Sequence, residues 1–316
     1  MDPTILDRSS CGIMRFVPPY GELQPTPGRL ACAPEHLRGA ALVWWLLDAQ
    51  RQEDEFERLR TRPFGLPVMV ILPPARDIHR TLPLLNFLSM LRPRAVLPAG
   101  NLASPDRLRF VLATPPRPFA ETVTVYLAHR GILADRHLRR EIRRIIDLAP
   151  NVASISKLTR RMYTSRRTLG RHLAEAGLPV PSHWLQFARL LHVAVHLQND
   201  SSAIFRIAGR AGYPDGFTMS NQMKRLTGSR PSEVRACLGW EWIVEAWLRR
   251  EVELHNLDGE RYGVRPSSER PATSKRSADP SRTIVEGLVD VATDRPRARH
   301  DAGSQRGAHA ADDVPR

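Results

Sequence analysis

The sequence predicts an α/β layer fold over residues 1–118, an all-α body after it, and a disordered tail over 258–316. Three observations carry this. Short Val, Ile and Leu runs stopped by proline alternate with helical spacing in the first third of the chain. From about residue 120 to 257 apolar residues recur three and four apart, with turns marked by Gly and Pro. Beyond about 259, Ser, Arg, Pro, Ala and Asp displace large apolar side chains. With 42% apolar residues among 316, the chain has enough material for one large or two medium cores.

Taking the elements in order, Leu66 to Leu72 and Arg94 to Leu97 read as buried strands, each followed by proline. Pro34 to Arg60 and Ile78 to Leu91 have helical spacing between them. Gly39 to Leu47 is the longest apolar run, about half of what a membrane span needs, so no membrane role is expected. A linker helix is expected in 119–150: Leu138, Ile142, Ile145 and Ile146 share one face, and Arg139, Arg140, Arg143 and Arg144 share the other, read as solvated surface. In the tail, Ile284, Val285, Leu288 and Val289 offer too little apolar surface to offset chain entropy.

The formal charge of +14 favours a polyanionic partner, and residues 151–235 hold 13 Lys and Arg against 4 Asp and Glu. Cys11, Cys32 and Cys237 show no CxxC spacing, so neither a disulfide framework nor a zinc site is expected, and no cofactor. Met1 to Ser10 lacks the basic and apolar regions of a signal peptide, which with the cysteine usage points to the cytoplasm. No HExxH, GxSxG, phosphate-binding loop or GxGxxG supports catalysis, so the chain is not expected to be an enzyme.

Within 151–257 two pairs of helices, each joined by a tight turn, stand out. In the first, Ile155, Leu158 and Met162 give one helix an apolar face, Tyr163-Thr164 makes the turn, and Ser165 is placed to cap the next helix. There Leu169 and Leu173 face inward while Arg167, Gly170 and Arg171 lie opposite, with Arg166 beside the cap. In the second pair, Ile204, Ile207 and Ala208 form the inner face, Gly212-Tyr213 the turn, and Asp215 caps a helix running through Lys224. Met219 and Met223 point inward; Ser220 and Asn221 point outward, with Lys224 and Arg225 further along. A helix over about Pro181 to Leu197 connects the two, and Pro231-Ser232-Glu233 starts a short last helix.

These residues resemble the AraC/XylS-type DNA-binding domain, which has two helix-turn-helix units joined by a central helix. The resemblance rests on Ser165 to Leu169 with Arg171, Ala188 to Leu191 with Ala194, Ile207-Ala208 before Ala211-Gly212-Tyr213, Asp215, and Gly228 to Arg235. It implies a transcription regulator bound to double-stranded DNA, with RNA polymerase and a second copy of the chain as protein partners. It places DNA contacts at Ser165, Arg166, Arg167, Gly170 and Arg171 of the first unit and Ser220, Asn221, Lys224 and Arg225 of the second. Gly170 departs from the pattern, as do Gly216 and Phe217 where small polar residues are usual. Arg189, on the connecting helix, is read as a brace.

The stripe Trp240, Ile243, Trp247 and Leu248 lies beyond the usual end of such a domain, and either packs back on it or serves a dimer. The N-terminal stretch faintly resembles a degenerate response-regulator receiver, with 68–72 and 95–97 as its late strands. The acidic residues and Lys of a working receiver cannot be placed, so a phosphorylation-incompetent receiver-like or merely α/β regulatory domain is expected, with a phosphorelay effector as the alternative reading. A DNA-alkylation repair enzyme is disfavoured because Cys237 has no activating His motif.

Overall fold

The computed structural model describes residues 12–26, 38–46, 53–72, 88–98 and 104–266. Five strands, β1 (Ile13–Phe16), β2 (Leu23–Pro25), β3 (Ala41–Trp45), β4 (Val68–Leu72) and β5 (Ala95–Pro98), form one sheet in the order β2-β1-β3-β4-β5. β1 runs antiparallel to both β2 and β3, whereas β3, β4 and β5 are parallel, with Leu42 opposite Val68 and Met69 opposite Ala95. The sheet is therefore mixed, β1 being antiparallel to both of its neighbours.

Both faces of the sheet are covered, as its two-fold side-chain period demands. Leu42, Trp44, Val68 and Val70 pack on one face against Leu59 of helix α1 (Glu53–Arg60). Ala41, Val43, Met69 and Ile71 pack on the other against Leu108 and Leu112 of α2 (Pro105–Ala113). Strands over 68–72 and 95–98 bear out the sequence reading, but the expected helix over Pro34 to Arg60 needs correction. Residues 41–45 are the central strand, and the described helix is confined to 53–60. An apolar run buried on both sides has no periodicity, so ALVWW does not announce its conformation. Of the helix expected over Ile78 to Leu91, residues 88–91 are helical and the rest lies outside the described residues.

Residues 119–150 form two helices, α3 (Phe119–His129) and α4 (Arg136–Leu148), which share one core with everything up to Val264. Of the α4 arginines read as solvated, Arg143 and Arg144 are engaged with protein. Arg144 donates to the carbonyls of Met162 and Arg161 at 3.0 and 3.1 Å, and Arg143 lies 3.2 Å from Glu121. Then follow α5 (Ile155–Met162), α6 (Arg166–Glu175), α7 (Pro181–Asn199), α8 (Ile204–Arg210), α9 (Gly216–Thr227), α10 (Pro231–Ala236) and α11 (Glu241–Glu253).

α11 carries the tryptophan stripe, and all of it is buried. Trp247 stacks on Phe187 at 4.0 Å with the rings 8° apart, and Trp184 meets it edge-on. Three carboxylates of α11 are buried with it, and each has a partner, as buried charge requires. Glu241 meets Arg94 at 3.1 Å, Glu245 meets Arg130 at 3.2 Å and Tyr126 at 2.9 Å, and Glu251 meets His183 at 3.0 Å.

Part of the stretch expected as a tail, 258–266, packs on the helical body. Tyr262 and Val264 are buried, Tyr262 donates its hydroxyl to the Ala176 carbonyl at 2.6 Å, and Arg130 donates to the Tyr262 and Gly263 carbonyls at 2.6 and 2.9 Å. The remainder of that tail lies outside the described residues.

Candidate nucleic-acid interface

The first helix pair is built by caps at each end. Ser154 Oγ accepts from the Lys157 amide at 3.3 Å to start α5. α5 ends at Tyr163, whose φ of 54° lets the Tyr163 and Thr164 amides reach the Arg160 and Thr159 carbonyls at 3.2 and 3.1 Å. Ser165 Oγ then accepts from the Thr168 amide at 2.9 Å and starts α6. Buried Leu169 and Leu173 hold α6 down, leaving Arg166, Arg167 and Arg171 exposed. Arg171 has an exposed partner, Glu175, at 3.8 Å, an ion pair of little strength that another anion can displace. Nothing lies within 4 Å of where a Cβ on Gly170 would sit. Tyr163 projects beside this face, 93% exposed.

The second pair repeats the plan with different chemistry. α8 ends in a turn through Gly212 at φ 72°, where the Tyr213 amide reaches the Ala208 carbonyl at 3.0 Å. Asp215 caps α9: its carboxylate accepts from the Thr218 amide at 2.6 Å, which holds its pKa below the usual range. Met219 and Met223 are wholly buried beneath α9. Asn221 and Lys224 are exposed. Ser220 is half-buried, and its hydroxyl donates to the Gly216 carbonyl of its own helix at 2.6 Å. Arg225 is exposed but tied, donating to Gln186 of α7 at 2.8 Å. The outer position at the start of α9 belongs to Phe217, 76% exposed, one helical turn before Asn221.

α7 lies between the pairs and buries eleven of its nineteen residues. Arg189 on α7 bears out its reading as a brace: it donates to the Ala211 and Gly212 carbonyls at 2.9 and 3.0 Å and lies over the Tyr213 ring at 4.7 Å. The loops of the second pair are thereby fixed to the connecting helix.

Residues 158–236 match the family model described as a helix-turn-helix domain. The matched family is the AraC type of this domain, in agreement with the resemblance seen in the sequence. The match runs from within α5 to the end of α10, so it takes in both helix pairs and the helix between them. No curated protein and no solved structure matches the chain. A match to a helix-turn-helix domain of this type supports DNA binding. On α6 of the first pair Arg166, Arg167 and Arg171 are exposed and Gly170 is half-buried. No described helix is long and apolar enough to cross a membrane.

Two features of this surface escaped the sequence reading. Phe205 on α8 is 67% exposed, and with Phe217 it puts aromatic rings on the outer surface of the second pair. The helical spacing around Phe217 was a usable signal, since Phe217 lies four residues before Asn221 and seven before Lys224, on one face with them. The other is His172, which lies on the flank of α6 against Glu141 and His137 of α4. The i, i+4 spacing of His137 and Glu141 was legible; the arrival of His172 depends on tertiary packing.

Proposed function

We propose that the chain is a sequence-specific DNA-binding transcription regulator. It reads the major groove with α6 and α9 as the recognition helices of two helix-turn-helix units, held in register by α7. One observation carries the reading: α6 sets the guanidinium groups of Arg167 and Arg171 on an exposed face directly opposite the buried Leu169 and Leu173. Arginine on such a face grips guanine O6 and N7 bidentately, or neutralises phosphate. Arg166 and Ser165, at the helix N-terminus where amide dipoles favour an anion, take the phosphate role.

α9 reads more weakly. Asn221 suits an adenine edge, Lys224 a phosphate, and Phe217 an apolar contact such as a thymine methyl. Ser220 and Arg225, expected among the contacts, each have a protein partner within reach, Gly216 and Gln186, that a contact to DNA would compete with. Residues 1–118 are the regulatory part, 151–257 the DNA-binding domain, and 119–150 the helices that join them. The partners that follow are double-stranded DNA, RNA polymerase and a second copy of the chain, in the cytoplasm, with no catalytic step.

Selection of bound duplexes from a random pool by the full chain tests this, followed by Arg167→Ala and Arg171→Ala on the selected sequence. Each substitution should cost about 1–3 kcal/mol of specific binding if it reads a base, and relax the preference at one position. A chain with no preference for any duplex over random competitor at moderate salt would overturn the reading.

A further inference from the structure

We infer that His137, Glu141 and His172 form a binding site for a divalent transition-metal ion of the zinc class, which clamps α6 to α4. His137 and Glu141 are one turn apart on α4, and His172 comes from α6. Glu141 Oε1 lies 3.4 Å from His137 Nε2 and 2.9 Å from His172 Nδ1, and the donor atoms of all three groups lie within 4.8 Å of one another. Ligands on a tetrahedral zinc sit about 3.3 Å apart, given metal–ligand bonds of roughly 2.0 Å. Small side-chain rotations therefore bring the three donors onto one ion.

A second observation points to a ligand. Glu141 is buried, and its Oε2 has no hydrogen-bond partner, although the other carboxylate oxygen is shared by two imidazoles. An orphaned buried carboxylate oxygen is costly, and a cation relieves it. Two imidazole nitrogens and one carboxylate suit zinc, cobalt or nickel and not calcium or magnesium, which prefer all-oxygen shells. Arg136 and Arg140, exposed on the same helix, also disfavour an ion held by charge alone. When the metal binds, the ring proton of His172 resides on Nε2 and Nδ1 supplies its lone pair. A water completes the fourth position on the open His137 side, where that side chain is 64% exposed.

Because α6 carries Arg167 and Arg171, fixing its angle sets duplex affinity, a consequence that rests on the proposed DNA reading; the metal site itself does not. The test is therefore made without DNA. Co2+ is titrated into the full chain and followed by its visible absorption, and melting is measured with and without Zn2+. The same is done for His137→Ala, whose side chain is exposed enough for the variant to fold, and for Glu141→Gln. The full chain should bind one more equivalent of Co2+ than His137→Ala, lose the absorption when Zn2+ is added, and melt higher with Zn2+. In His137→Ala the affinity should fall by at least about tenfold, as ligand-shell losses do. Identical Co2+ spectra and identical Zn2+ effects in the full chain and His137→Ala would overturn the assignment.

Discussion

Arg94, one residue before β5, and Glu241, at the first position of α11, form an ion pair at 3.1 Å that joins the sheet to the helical body. Their side chains are only 6% and 8% exposed, and Arg94 also donates to the Thr114 carbonyl at 2.7 Å. Beside it, Tyr20 donates its hydroxyl to the Gly39 carbonyl at 2.6 Å and accepts from the Leu238 amide at 2.7 Å. Gly39 must be glycine here: at φ 68° an added Cβ would lie 2.8 Å from Cys237 Cα.

Removing one partner of that pair strands the other charge in the core. Arg94→Ala or Glu241→Ala should each lower stability by about 3–5 kcal/mol, and the double replacement by less than the sum, in a double-mutant cycle from chemical denaturation. Additive losses would show that the two charges do not interact.

Gly170 weakens α6 with no steric reason visible in the protein alone, since open space surrounds its Cβ position. Gly170→Ala should therefore raise stability by about 1 kcal/mol, the usual helix-interior difference. If α6 lies in the groove, the same change should weaken DNA binding while it raises the melting temperature. A variant improved in both respects would place position 170 away from the duplex.

Stability should fall on mild acidification. Burial pushes the pKa of His192 below its ordinary value of 6.5, and the ring meets the Ile146 carbonyl at 2.9 Å and the Phe119 ring at 5.4 Å. Below 6.5 the unfolded chain takes up a proton that the folded one refuses, so stability is complete above that pH and is lost as pH falls toward the folded-state value. His129, also lowered by burial, adds in the same direction. Melting temperature should drop between about pH 7 and pH 5, and His192→Gln should flatten that slope. An unchanged slope would assign the effect elsewhere.

Residues 260–266 belong to the folded body. A chain ending after Pro266 should melt like the full chain, whereas one ending after Gly259 loses Tyr262, Val264 and the acceptors for Arg130, and should be less stable by about 3 kcal/mol or more. Equal melting of the two truncations would contradict the packing described for this segment.

Much of this was readable from the residues because local chemistry and tertiary packing agree. α4 was legible from Leu138, Ile142 and Ile146, and α6 from Ser165 with Leu169 and Leu173, where a cap and a spacing both report helix. β3 was not, because a strand buried on both faces looks like any apolar run. Tyr262 and Val264 were missed since two isolated apolar residues in polar sequence carry no period. At the interface, exposure of Arg167 and Arg171 followed from helical spacing alone. The engagement of Arg225 with Gln186, and of Ser220 with its own helix, did not, because outward spacing says nothing of a neighbour or of the backbone four residues back.

α7 buries eleven of its nineteen residues, so if α6 and α9 are the reading helices the gap between them is a property of the core, not of a hinge. On the proposed reading, such a protein tolerates base changes between its two contact zones far better than it tolerates an inserted base. One extra pair carries the distal zone about 3.4 Å along the duplex and about a tenth of a revolution around it. The operator would thus be defined as much by phase as by letters.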